Sequence, residues 1–194
     1  AAAPAMARAE AEAKAKEEEE EAKATAAPPR FVSCGRTATI TGAGSCTVTA
    51  AQGGDSLCVT DIVANEGGGA VYAEFKVVRG RDRDGVVEAC IGAVVQRDRL
   101  ELNEDHAVGS NDGAYFMALR NGSLYGSGKE RDDIQGEGCV AVGDRMGVLV
   151  KAGAEGYVRF YCNGTAFGSS FRGPVKAPLV LAVQMLGGVF SSKG

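Results

Sequence analysis

Two adjacent prolines divide the chain, and beyond them comes a long succession of short β-type runs separated by glycine. Pro28 and Pro29 close the first part, because proline lacks an amide donor and drives the residue before it out of helical geometry. From Phe31 onward come "TATIT", "SCTVTA", "LCVTDIV", "VYAEFKVV", "VVEACIGAVV", "AYFMALR", "RMGVLVK", "YVRFYC" and "LVLAVQML". Short strands broken by Gly, Asn and Asp are the pattern of an all-β sandwich or barrel. Within "VYAEFKVV" the alternation puts Ala73, Phe75 and Val77 on one face and Glu74 and Lys76 on the other, so one face is core and one is wet. Most of the 28 glycines fall in this part, where turns need positive φ.

The stretch before the prolines has another character. Residues 5–27 are almost wholly Ala, Glu and Lys, the strongest helix formers, and Glu10/Lys14, Glu12/Lys16 and Glu19/Lys23 form i,i+4 pairs in the favourable order. Apart from Met6 there is no large apolar side chain and no leucine heptad, so a helix here has no stripe to bury. The division expected is a charged helical extension over residues 1–30 and a β-sandwich domain over 31–194. The glutamates from Glu17 to Glu21 argue against a transit peptide, a class poor in acids.

Bulk properties exclude several classes. Mean hydropathy is -0.07, and the longest apolar runs, such as "PLVLAVQML", fall far short of the roughly 20 residues of a membrane span. A net charge of -4 and a pI near 5.2 argue against nucleic acid as a partner, which clustered Lys and Arg would bind. In "RGRDRDG" the three arginines alternate with Asp82 and Asp84 and cancel at a distance. The six cysteines include no C-x-x-C pair, and no signal-peptide apolar region is visible. They read as reduced thiols acting as small hydrophobes in a cytoplasmic or otherwise intracellular protein. With one histidine no zinc site is expected.

Near the end lies "YVRFYCNGTAFGSSF". Asn163-Gly164 is the pair preferred at a two-residue type I′ turn, which makes this a hairpin. Val158, Phe160 and Cys162 share one face, Tyr157, Arg159 and Tyr161 the other, and Phe167 and Phe171 are expected to pack inward. The turn reading takes precedence over the sequons at Asn163 and Asn121. The glycine-rich "GSGKERDDIQGEG" fails as a phosphate loop, since Glu130 follows Lys129 where Ser or Thr is needed.

The order of these motifs resembles the SPRY domain. "VYAEFKV" is similar to that family's early tyrosine-aromatic-glutamate strand, "ACIGAV" to the glycine-centred strand after it, and "GDRMGVLVK" to its Gly-Asp-x-Ile-Gly-Val strand with Met146 in the Ile position. "GYVRFYCNGTAFGSSF" resembles the family hairpin through Gly156, Val158, Phe160, Asn163, Gly164, Gly168 and Phe171, and "KAPLVLAV" its Pro-anchored final strand. The tryptophan of many relatives and the opening of the PRY segment are missing. The resemblance implies a SPRY-only, twisted sandwich of two antiparallel sheets that recognises a peptide or folded protein through loops.

The residues themselves give little to an enzyme. His106 stands alone among Glu101, Glu104, Asp105 and Asp112, without a G-x-S-x-G elbow or H-E-x-x-H helix, so no catalytic residue, metal or cofactor is nominated. Loops on a rigid frame usually carry function, and two are long: "VQRDRLELNEDHAVGSNDG" and "GSGKERDDIQGEG". In and beside them Arg97, Arg99, His106, Asn111, Asp112, Tyr115, Arg120, Tyr125, Lys129 and Arg131 are the partner-binding candidates, Arg and Tyr being prominent at interfaces. The alternative for Tyr115 and Tyr125 is packing at the sandwich edge. The expected function is a non-catalytic protein-interaction module. Alternatives are a structural subunit of a large intracellular assembly and a glycan-binding sandwich.

Overall fold

A computed structural model describes residues 25–26, 29–34, 38–41, 47–50, 56–79, 87, 89–95, 113–127, 140–185 and 188–191. The strands are β1 (Thr25–Ala26), β2 (Phe31–Cys34), β3 (Ala38–Thr41), β4 (Thr47–Ala50), β5 (Ser56–Ala64), β6 (Val71–Arg79), β7 (Ala89–Val95) and β8 (Ala114–Ala118). They continue as β9 (Leu124–Tyr125), β10 (Arg145–Lys151), β11 (Tyr157–Cys162), β12 (Thr165–Ala166), β13 (Phe171–Arg172), β14 (Leu179–Met185) and β15 (Gly188–Ser191). Among the described residues every element is β.

The strands form two sheets. The first runs β12-β11-β10-β6-β15-β4-β3, with β13 beside β11 and β1 beside β6; the second runs β2-β5-β14-β7-β8-β9. Among the described residues all pairings are antiparallel except β1 with β6. The sandwich of two antiparallel sheets implied by the resemblance, and consistent with the strand pattern, is therefore present. The helical extension expected before the prolines lies outside the described residues, save for Thr25 and Ala26 and for residues 29 and 30. Thr25 and Ala26 pair in parallel with Val71 and Tyr72, a stretch of β6 that β15 leaves uncovered because β15 pairs only from Lys76 to Arg79.

The core lies between the sheets. Ala73, Phe75 and Val77 from β6, Met146, Val148 and Val150 from β10, and Val158 and Phe160 from β11 meet Ile91 and Ala93 of β7 and Leu179, Leu181 and Val183 of β14. Phe31 packs on Phe75 at 5.6 Å between ring centroids. Phe171 stands edge-on to Tyr115 at 5.3 Å, and Phe167 also packs against this core. Gly92 is dictated by close strand approach, since a Cβ there would sit 1.9 Å from the Tyr115 carbonyl oxygen.

The second sheet is buried on its other face too. Leu57, Val59, Cys90, Val94, Ala114, Phe116, Val180 and Ala182 form a separate apolar cluster there, which explains why β7 and β14 read as continuous apolar runs rather than alternating ones. Between Val180 and Ala182 the register with β5 shifts. Thr60, 2% exposed, fills the gap by donating its hydroxyl to the Leu181 carbonyl at 3.1 Å.

Candidate functional site

The hairpin builds one corner of the first sheet's outer face. Asn163 and Gly164 have φ of 51° and 79°, as the type I′ turn requires, and the Asn163 side chain does more than turn. Its Oδ1 accepts from Arg145 N at 3.0 Å and its Nδ2 donates to Asp144 Oδ1 at 2.9 Å. Asp144 Oδ2 accepts from Ala141 N at 2.8 Å, and Asp144 O accepts from Val77 N at 2.9 Å. The turn is thereby tied to the start of β10 and the end of β6. Burial, then the nearby Asp144 charge, pushes the Cys162 thiol up.

Alternation and register then assemble the face. Arg145, Gly147, Leu149 and Lys151 of β10 stand beside Lys76, Glu74 and Tyr72 of β6 on one side and Tyr161, Arg159 and Tyr157 of β11 on the other, with Arg172 of β13 beside Tyr157. Leu149, Tyr157 and Tyr161 are buried and pack with Ala70 and Tyr72. Tyr72 meets Tyr161 edge-on at 5.9 Å, and the Arg159 guanidinium lies 4.8 Å from the centre of the Tyr157 ring, within cation–π range. Gly147 makes room for the tyrosines: a Cβ there would fall 2.2 Å from the Tyr72 hydroxyl.

The charge on this face opposes that of the chain. At the described outer positions of β6, β10, β11 and β13, Lys76, Arg145, Lys151, Arg159 and Arg172 are basic and Glu74 is the one acid, whereas the whole chain carries -4. Arg145 and Glu74 form a 2.8 Å ion pair. The described outer positions of these strands thus hold more basic than acidic side chains, in a setting of tyrosine rings.

The loop candidates are placed differently. Arg97, Arg99, His106, Asn111, Asp112, Lys129 and Arg131 lie outside the described residues. The segment holding the first five leaves from Val95 and returns at Gly113, joined by a 2.9 Å hydrogen bond from Val95 N to Gly113 O. Arg120 is exposed at the turn between β8 and β9, and Tyr125 is half-buried against the outer cluster of the second sheet. Tyr115 requires a correction. It is 2% exposed, packed on Phe171, and its hydroxyl accepts from Lys176 N at 3.0 Å, because β8 alternation turns Tyr115 and Met117 inward. Its ring is core, not contact surface. Sequence reasoning passed over Tyr72 and Arg145; it had already put Glu74 and Lys76 on the wet face of β6 and Tyr157, Arg159 and Tyr161 on one face of β11, and the register with β10 was the missing step. No group of three or more metal-ligating side chains occurs among the described residues, and no helix among them is long and apolar enough to cross a membrane.

No protein-family model and no curated protein matches the chain. Solved structures do match. The SPRY domain of human HERC1 superposes with a TM-score of 0.62 at 18% identity, covering 80% of this chain and 91% of that one. The fold is that of a SPRY domain. A human SPRY domain matches with a TM-score of 0.60 at 22% identity, covering 82% of this chain and 95% of its own. The TRIM65 PSpry domain gives 0.59 at 14% identity, covering 86% and 88%. The SPRY likeness thus spans most of the chain.

Proposed function

We propose that this SPRY-fold domain is a non-catalytic module that recognises an acidic polypeptide, in the reducing interior of a cell, through the basic tyrosine face of its first sheet and the loops at 96–112 and 128–139. One observation carries the reading: five basic side chains and three tyrosines share the outer positions of β6, β10, β11 and β13 with a single carboxylate. Arginine on a rigid frame gives contact area and fixed hydrogen-bond geometry, and the buried Tyr157 beneath it helps seat the Arg159 guanidinium. Basic charge steers a carboxylate-bearing partner and rejects a basic one. The rigid two-sheet frame supports the loop part of the proposal, in which Arg97, Arg99, His106, Asn111, Asp112, Arg120, Lys129 and Arg131 supply further contacts.

The test is affinity capture from cell lysate with the whole chain, followed by mass spectrometry. It is run beside an Arg159→Glu, Arg172→Glu variant for the face and an Arg97→Ala, Arg99→Ala, Arg131→Ala variant for the loops. A protein held by the wild type and lost by either variant, with the melting temperature unchanged, supports the proposal. Retention by both variants contradicts it, and capture through glycans alone, abolished by deglycosylating the lysate, favours the lectin reading.

A further inference from the structure

We infer that Cys34 and Cys58 form a redox modification site, a reduced thiol pair that closes to a disulfide when the domain meets a peroxide. The two residues are in register on the antiparallel strands β2 and β5. Both side chains pack on the inter-sheet core, and the two thiols are hydrogen-bonded to each other. Directly opposed residues of an antiparallel pair hold their Cα atoms about 4.5–5.5 Å apart, within the roughly 4.4–6.8 Å that a disulfide spans. The bond therefore closes without moving a strand.

Access separates the roles. Cys58 is 0% exposed, while Cys34 is half-buried on a strand at the edge of the second sheet. Burial, reinforced by the neighbouring Cys34, pushes the Cys58 thiol well above its ordinary value, which keeps it protonated and leaves the accessible Cys34 as the sulfur that attacks the peroxide first. In that step an S–O bond forms on Cys34, the O–O bond of hydrogen peroxide breaks, and the Cys34 proton leaves with the departing hydroxide as water. Cys58 sulfur then attacks the resulting sulfenic acid; the S–S bond forms, the S–O bond breaks, and the hydroxide leaves as water with the Cys58 proton. Two electrons pass from the thiol pair to the peroxide. The other described thiols are kept apart, with Cys90 on the opposite face of the second sheet and Cys162 on β11 of the first.

The bond would fasten the edge strand that delivers Phe31 onto Phe75, a strand whose register with β5 is interrupted between Phe31 and Ser33. The experiment treats the whole chain with hydrogen peroxide, blocks remaining thiols under denaturing conditions, and maps the peptides after cleavage at basic residues and before Asp55, which separates Cys58 from Cys46. The expected product is the Cys34 peptide linked to the Cys58 peptide, reversed by dithiothreitol, with Cys90 and Cys162 recovered blocked. The melting temperature should rise by roughly 5–10 °C in the oxidised protein. In Cys58→Ala the same treatment should carry Cys34 on to sulfinic acid. Recovery of wild-type Cys58 blocked while Cys34 is over-oxidised, unreacted or linked elsewhere overturns the inference, and because that mapping uses the wild type it stands whether or not the variant folds.

Discussion

Asn163 has two separable duties, and substitution tells them apart. Its φ of 51° lies in a region that costs an ordinary L-residue about 1 kcal/mol, and its carboxamide makes the bonds to Arg145 and Asp144, each worth roughly 0.5–1.5 kcal/mol. Asn163→Ala should therefore destabilise the domain by about 2–3 kcal/mol, measured by urea unfolding, and Asn163→Gly by about 1 kcal/mol less because glycine tolerates the angle. Equal losses would mean that the side-chain bonds carry everything and the backbone angle nothing. The turn and the inward Val158, Phe160 and Phe171 could be read directly from the residues, since an Asn-Gly pair and a period of 2 are local signals. Tyr115 could not: its tyrosine chemistry suits an interface and a core equally, and only its seat opposite Phe171 decides.

At the level of strands, alternation identified the inner face of β6 and β11 because each has a polar outer row. It said less about β7 and β14, where both faces are apolar and periodicity has nothing to contrast. Register was not legible at all, which is why the outer face went unrecognised: Tyr72 and Tyr161 are 89 positions apart in sequence yet meet edge-on at 5.9 Å. The register shift in β14 is another feature invisible in the residues. It leaves the Leu181 carbonyl to the buried Thr60 hydroxyl, so Thr60→Val, nearly equal in shape, strands a buried acceptor and should cost about 1–2 kcal/mol with no change in the urea m-value. A loss under about 0.3 kcal/mol would show that the shift needs no such partner. Elsewhere Gln184 Oε1 is the buried side-chain polar atom without a hydrogen-bond partner among the described residues, the reverse situation, in which an apolar replacement has no bond to lose there.

Across the whole molecule, composition located the partner class only coarsely. In a chain of net charge -4, folding gathers five cations that are dispersed along the sequence onto the described outer positions of one sheet, and no average over the chain reveals that. Stability should also respond to pH through the core. The Cys58 thiol is raised well above its ordinary 9.0 by burial first and by Cys34 second, so the unfolded chain ionises there while the folded chain does not. Its contribution is fully present below about pH 8 and lost as pH rises past about 9, with a slope of up to about 1.4 kcal/mol per pH unit. Unfolding curves between about pH 7 and 10.5 should fall more steeply for the wild type than for Cys58→Ala, and parallel curves would refute the assignment.

The central claim is that the outer face of the first sheet binds acidic polypeptide. It is tested most directly by selecting peptides from a random display library with the whole chain and measuring the affinity of the enriched sequences against rising salt. The expectation is enrichment of Asp and Glu, binding that weakens as salt screens the charges, and at least tenfold loss with Arg159→Glu, Arg172→Glu at unchanged melting temperature. Enrichment of sequences without acidic residues, bound equally by the variant, would contradict the claim.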